Sequence, residues 1–279
     1  MLMIYLRTAQ NLEGNRLKSH VEKTVLLKVA LLFLPALPAY LWVWPNVRGD
    51  FADALQAAVY VYFLAGTVII GWSTRDDGGR WTPAVLGLSR QGLGLGLVVG
   101  AVLLTGRTFV TLAVAWAGGP PRVTLTWLAW QVLYYFCLVG LTEELLFRGL
   151  LYRALERWRG QRWAFWGSSL AFALWHVGQG GLIAAAMVFY GMLFALARWR
   201  AGGILGLVIA HGAMDLGTAV LISGSNSAVL SQIQAHGHPV VLYPFLLAAG
   251  LLLLLALPLY LWLLYPRAAQ WGSRRRKVY

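Results

Sequence analysis

Five ionisable side chains sit where an apolar sequence offers them no water. Glu143, Glu144 and Asp215 lie within long apolar stretches, as do His176 and His211; the other seven acidic residues fall in tails, loops or span edges. Arg148 follows Glu144 by four residues, His176 follows Phe172 by four and Asp215 follows His211 by four, so each pair shares one helix face. An Asp at the centre of a bilayer costs about 2.5–3.5 kcal/mol and a Glu is comparable. Three carboxylates without partners would cost on the order of 10 kcal/mol, as much as a whole domain's stability. Groups kept at that cost are expected to pair with one another around a polar interior cavity. The chemistry open to them is proton relay, water activation or metal binding. Glu143, His176 and His211 are the right types for a catalytic zinc set with one position left for water, although the spacing is not HExxH and the ligands would come from three helices.

The elements that must carry these residues follow from composition. At 59% hydrophobic and 12% charged over 279 residues, the chain falls well below the roughly 25% charge of soluble domains. Disorder, collagen, coiled coil and a soluble globule are excluded. The single cysteine, Cys137, excludes a disulfide framework and a thiolate metal cluster, and within a span it is expected to be inert. Spans of about 20 apolar residues are expected at 24–45, 51–72, 91–115, 124–148, 162–178, 182–199, 203–223 and 240–265, eight in all. Pro35 and Pro38 should kink the first, and Gly178-Gln179-Gly180-Gly181 should form a tight turn after the fifth.

With the N-terminus inside, nineteen of the 23 Lys and Arg residues fall on the cytoplasmic side, five of them in a loop at 148–162, against Arg48 and Arg122 opposite. Both termini are therefore expected in the cytoplasm. The net charge of +13 then reflects topology and anionic headgroups, and no nucleic-acid partner is expected. Met1 to Leu6 is too short for the apolar core of a cleaved signal peptide. Gly92, Gly96 and Gly100 recur every four residues, a spacing for close helix packing. Trp42, Trp44, Trp72, Trp163 and Trp199 sit near span ends, as in an aromatic belt. His20, His236 and His238 read as solvated loop residues.

Three segments in order carry a resemblance. Thr142-Glu143-Glu144-Leu145-Leu146-Phe147-Arg148-Gly149 resembles the EExxxR motif of the CPBP intramembrane proteases, the CAAX-protease and bacteriocin-processing group. Phe172-Ala173-Leu174-Trp175-His176 resembles its FxxxH motif, and His211-Gly212-Ala213-Met214-Asp215 its HxxxN/D motif. The likeness covers about residues 124–220. Two features depart from it. The glycine-rich FxxGxxxG element is reduced to Gly191 with Ala195, and Asp215 stands where the best-known relatives carry Asn; the myxosortases form a further branch of the group.

The resemblance implies an all-α polytopic membrane protein with a four-helix catalytic core around a polar intramembrane cavity. Its segments would be a cytoplasmic stretch at 1–23, three accessory helices at 24–123, the core at 124–223, a loop and last span at 224–265, and a basic tail at 266–279. It implies an intramembrane endopeptidase of a bacterial or archaeal cytoplasmic membrane, acting on a membrane-anchored or lipidated polypeptide near its C-terminus. Glu143 would be the base for the attacking water, with Glu144 as a potential acid. Arg148 would hold and orient Glu144, or snorkel to an interface as a structural residue. His176 would position the water or shuttle its proton. His211, with Asp215 orienting it, would stabilise the oxyanion. Phe172 would pack the substrate cavity. No cofactor is required in this reading; a divalent metal such as zinc on Glu143, His176 and His211 is the alternative. A scaffold or bacteriocin-immunity protein, and a proton-coupled transporter, are the competing functions, although no inverted repeat supports transport.

Overall fold

The computed structural model describes residues 21–38, 50–74, 82–118, 123–179, 181–224 and 259–260. Outside them lie most of the 1–23 segment, the end of the first span from residue 39, nearly all of the last span at 240–265 and the 266–279 tail, with His20, Trp42, Trp44, His236 and His238.

Among the described residues every regular element is helical. Seven helices follow one another: α1 (21–33), α2 (Asp50–Ser73), α3 (Leu93–Gly118), α4 (Leu125–Arg159), α5 (Gln161–Trp175), α6 (Gly181–Ala201) and α7 (Leu205–Gly224). A short 3-10 turn, Pro83–Leu86, precedes α3. Asp53–Ser73, Leu125–Arg159 and Ile183–Ala201 are long and apolar enough to cross a membrane, and Leu93–Gly106 and Leu205–Val220 are shorter apolar helices. The protein is a helical integral membrane protein. The kink expected in the first span is present: the chain leaves helical geometry at Leu34-Pro35 before one further turn, Ala36–Pro38.

Two boundaries differ from the sequence-based expectation. The arginine-rich stretch assigned to a loop at 148–162 is helical through Arg159, which makes α4 35 residues long. At about 1.5 Å per residue it is roughly 52 Å, well beyond a ~30 Å hydrocarbon core. The reason is amphipathicity. Tyr152, Ala154 and Leu155 are buried, whereas Arg159 faces out. Arg153 donates through Nη1 to the Val85 carbonyl at 2.7 Å. Arg157 pairs with Glu22 of α1 at 2.7 Å, so Glu22 is buried rather than a solvated tail residue. Helix α4 stops only at Gly160, whose φ of 88° a side chain would rarely tolerate. The second difference lies at the other end of the hairpin. Helix α5 ends at Trp175, with His176 as its cap and a 3-10 turn at Val177–Gln179, where a span to 178 was expected. Its 15 residues reach about 22 Å.

The chain divides into two compact units interleaved in sequence. The first comprises residues up to Ser89 together with Thr142–Trp199, hence α1, α2, the second half of α4, α5 and nearly all of α6. The second comprises Arg90–Leu141 and the chain from Arg200, hence α3, the first half of α4 and α7.

In the second unit the glycine spacing of α3 has the expected packing role. A Cβ built on Gly96 would lie 2.2 Å from the Gly206 backbone of α7, and one on Gly100 would lie 3.0 Å from Ala210. Gly94, two residues along, faces open space, with nothing within 4 Å. Gly96→Leu is therefore expected to lower the thermal unfolding midpoint in detergent sharply, because two backbones must separate. Gly94→Leu should leave the midpoint unchanged. Equal midpoints for the two variants would mean that this helix contact contributes nothing.

Candidate active site

The site is built on α4. Thr124 caps that helix, its side chain accepting from the Trp127 N–H at 3.2 Å. Farther along, every residue from Thr142 to Tyr152 is buried, so polar side chains there can be satisfied only by protein. The backbone of Glu144–Leu151 winds as a π-helix, a form that recurs at functional sites.

Glu143 is 2% exposed. Its Oε1 accepts two hydrogen bonds, from the Tyr60 hydroxyl of α2 at 2.7 Å and from the Trp175 indole N–H of α5 at 3.1 Å. The indole is itself wedged by rings, with Phe63 at 4.8 Å and Phe33 at 5.7 Å between centroids.

Glu144 and Arg148 form a fully buried ion pair at 3.1 Å, both side chains 0% exposed. The guanidinium does not snorkel. It lies 4.2 Å from the Phe172 ring centroid and 5.3 Å from that of Phe194, and donates through Nη2 to the Gly191 carbonyl at 3.4 Å. A desolvated cation over aromatic faces gains substantially from their quadrupoles. Gly191 is the residue retained from the glycine-rich element, and it lets α6 reach α5: a Cβ there would lie 2.9 Å from the Ser169 carbonyl oxygen. Arg198 donates through Nε to the Arg148 carbonyl at 3.1 Å, fixing the same turn from outside.

His176 caps α5 and is 8% exposed. Its Nδ1 lies 2.8 Å from the Phe172 carbonyl, which can only accept, so Nδ1 carries the proton. A neutral His176 ring therefore presents Nε2 as an acceptor. Phe172 lies tilted against the His176 ring at 4.7 Å and edge-on to Phe147 at 5.4 Å, and is fully buried.

Glu143, Glu144, Arg148, Phe172 and His176 thus fall in the first unit, where direct contacts join Glu144, Arg148, Phe172 and His176, and Glu143 is held by Tyr60 and Trp175. His211 and Asp215 fall in the second and contact each other, Nε2 to Oδ2, at 3.4 Å. His211 is 2% exposed. Its helix is held closely on the neighbouring face: a Cβ on Gly212 would lie 2.7 Å from the Phe136 ring of α4. All three carboxylates whose cost demanded partners have one. Among the described residues no three His, Cys, Asp or Glu side chains form a metal-ligating group.

Residues 125–217 match the family described as type II CAAX prenyl endopeptidase Rce1-like. Over these residues the chain is similar to that CAAX-protease family. All seven residues singled out from the sequence fall inside the CAAX-protease segment, on or directly after α4, α5 and α7. No curated protein and no solved structure gave a match.

Two residues around Glu143 were not foreseen. Tyr60 lies in α2, outside the CAAX-protease segment, in the run Ala-Val-Tyr-Val-Tyr-Phe-Leu, where nothing separates it from packing aromatics. Trp175 is inside the FxxxH-like motif, one residue before His176. An indole N–H beside a candidate catalytic residue is the signal that could have found it, since a buried indole needs an acceptor.

Proposed function

We propose that this chain is an intramembrane endopeptidase that hydrolyses a peptide bond of a membrane-anchored or lipidated polypeptide, near that polypeptide's C-terminus, with water activated by Glu143. The observation that carries the reading is the anchored carboxylate: Glu143 is buried, held by Tyr60 and Trp175, and flanked by the closed Glu144–Arg148 pair. In this reading Glu143 takes the proton of the attacking water. Neutral His176, with its proton fixed on Nδ1, accepts from that water through Nε2 and positions it, and the proton taken up by Glu143 passes to the leaving amine. His211 donates to the developing oxyanion, and Asp215 orients the ring through its contact with Nε2. Glu144 and Arg148 hold the π-helical turn that aims Glu143. Phe172 packs the cavity wall by stacking on both Arg148 and His176. The catalytic core would be 124–223, with the remaining helices completing eight spans and both termini in the cytoplasm of a bacterial or archaeal cell.

The test is hydrolysis itself. Full-length protein in liposomes is mixed with a prenylated peptide in water enriched in ¹⁸O, and the products are weighed. One ¹⁸O atom is expected in the new carboxyl, and chelators should leave the rate unchanged. Activity abolished by a chelator and restored by zinc would replace the glutamate mechanism with a metal one on Glu143, His176 and His211. No cleavage of the prenylated peptide, and no difference between membrane peptidomes with and without the protein, would leave the scaffold function standing. Proton-driven uptake by the same liposomes would indicate transport.

A further inference from the structure

Tyr60 and Tyr62 sit two residues apart on α2 and spend their hydroxyls differently. Tyr62 donates to the Leu32 carbonyl of α1 at 3.1 Å, a side-chain-to-backbone bond that serves helix packing. Tyr60, 6% exposed, donates to the Oε1 of Glu143 at 2.7 Å. The Trp175 N–H reaches the same oxygen from α5. Donors from two helices converging on one atom fix both the rotamer and the plane of a carboxylate, because a single bond leaves it free to swing and two do not. Charge-assisted bonds of this kind are roughly twice as strong as neutral ones. The anchors are rigid in turn: Trp175 is wedged by Phe33 and Phe63, and the Tyr60 ring packs edge-on to Trp175 at 6.4 Å.

Resting on the reading of Glu143 as the base, we propose that Tyr60 is a positioning residue. By holding Oε1, it sets the direction in which the second carboxylate oxygen meets the attacking water. The catalytic machinery then extends beyond the CAAX-protease segment into α2, with Trp175 as the second anchor.

The test compares Tyr60→Phe, Tyr60→Leu and Glu143→Gln in the full-length protein in liposomes, with the peptide turned over by the wild type. Tyr60→Phe keeps the ring against Trp175 and removes only the donor. It is expected to lower kcat by about 10- to 100-fold, the scale of a small misplacement of a reacting group. KM should stay within about twofold, since the reach to substrate is untouched. Tyr60→Leu should lose kcat to the same extent and also unfold at a lower temperature. A merely packing role would reverse this pattern, with Tyr60→Phe at wild-type kcat and only Tyr60→Leu impaired; that result overturns the inference. Should Tyr60→Phe fail to fold, Trp175→Phe removes the other donor and is read by the same kcat and KM criteria. Glu143→Gln separates the two levels. If it is inactive while Tyr60→Phe is unimpaired, this inference alone fails; if Glu143→Gln retains turnover, both fail.

Discussion

Glu143→Gln is expected to slow hydrolysis by about 10²- to 10⁴-fold, the contribution of a positioned general base, while leaving the fold intact. That factor corresponds to roughly 3–5 kcal/mol of transition-state stabilisation. The substitution is isosteric, and its amide oxygen can still accept from Tyr60 and Trp175. What it loses is the ability to take a proton, and the NH₂ group now sits where the second oxygen stood. Thermal unfolding of the variant should therefore track the wild type, and peptide turnover should not. Glu144→Gln is the control. Its oxygen can still accept from Arg148, so turnover should fall less, while the loss of a buried ion pair should show in stability. If Glu143→Gln keeps more than a tenth of the wild-type rate, Glu143 is not the base and the hydrolytic mechanism must be rebuilt around another residue.

The residues of the candidate site stood out in the sequence because apolar helices make charge conspicuous. A carboxylate in a run such as Leu-Val-Gly-Leu-Thr-Glu-Glu-Leu-Leu-Phe has no ordinary reason to be there, and the four-residue spacing put Arg148 on the helix face of Glu144, where the bond is seen at 3.1 Å. The same holds for His211 and Asp215. Aromatic and glycine partners were not legible in this way. Tyr60 becomes a ligand of Glu143 only because α2 is folded against α4, and one Tyr in a row of Tyr, Phe and Leu gives no local sign of it. The state of Arg148 was likewise tertiary. From spacing alone it could have snorkelled, and it is the Phe172 and Phe194 rings from α5 and α6 that make full burial tolerable. The helical course of 149–159 was hidden by its arginines, which suggest a solvated loop. The apolar positions Leu151, Ala154 and Leu155 at helical spacing, and the absence of any proline before Gly160, indicate helix instead.

Arg148→Met is expected to be the most destabilising single change in the site, by about 3–5 kcal/mol, the cost of removing one partner from a buried ion pair. Methionine fills much of the space between Phe172 and Phe194 but leaves a carboxylate, Glu144, in a low-dielectric interior without the cation beside it. The Gly191 carbonyl loses its donor as well. Arg148→Lys should recover part of the charge and little of the geometry. An ammonium lacks the planar fork that bonds Glu144 and Gly191 while lying over an aromatic face. The informative variant is the double one, Arg148→Met with Glu144→Leu. Replacing both members of a buried pair with apolar side chains is often neutral or stabilising, so unfolding in detergent should return toward the wild-type midpoint. If the pair serves to aim Glu143 through the π-helical turn, peptide turnover will stay low despite the restored fold, with kcat rather than KM affected. If turnover returns together with stability, the pair is structural and the chemistry rests on Glu143 and the histidines alone.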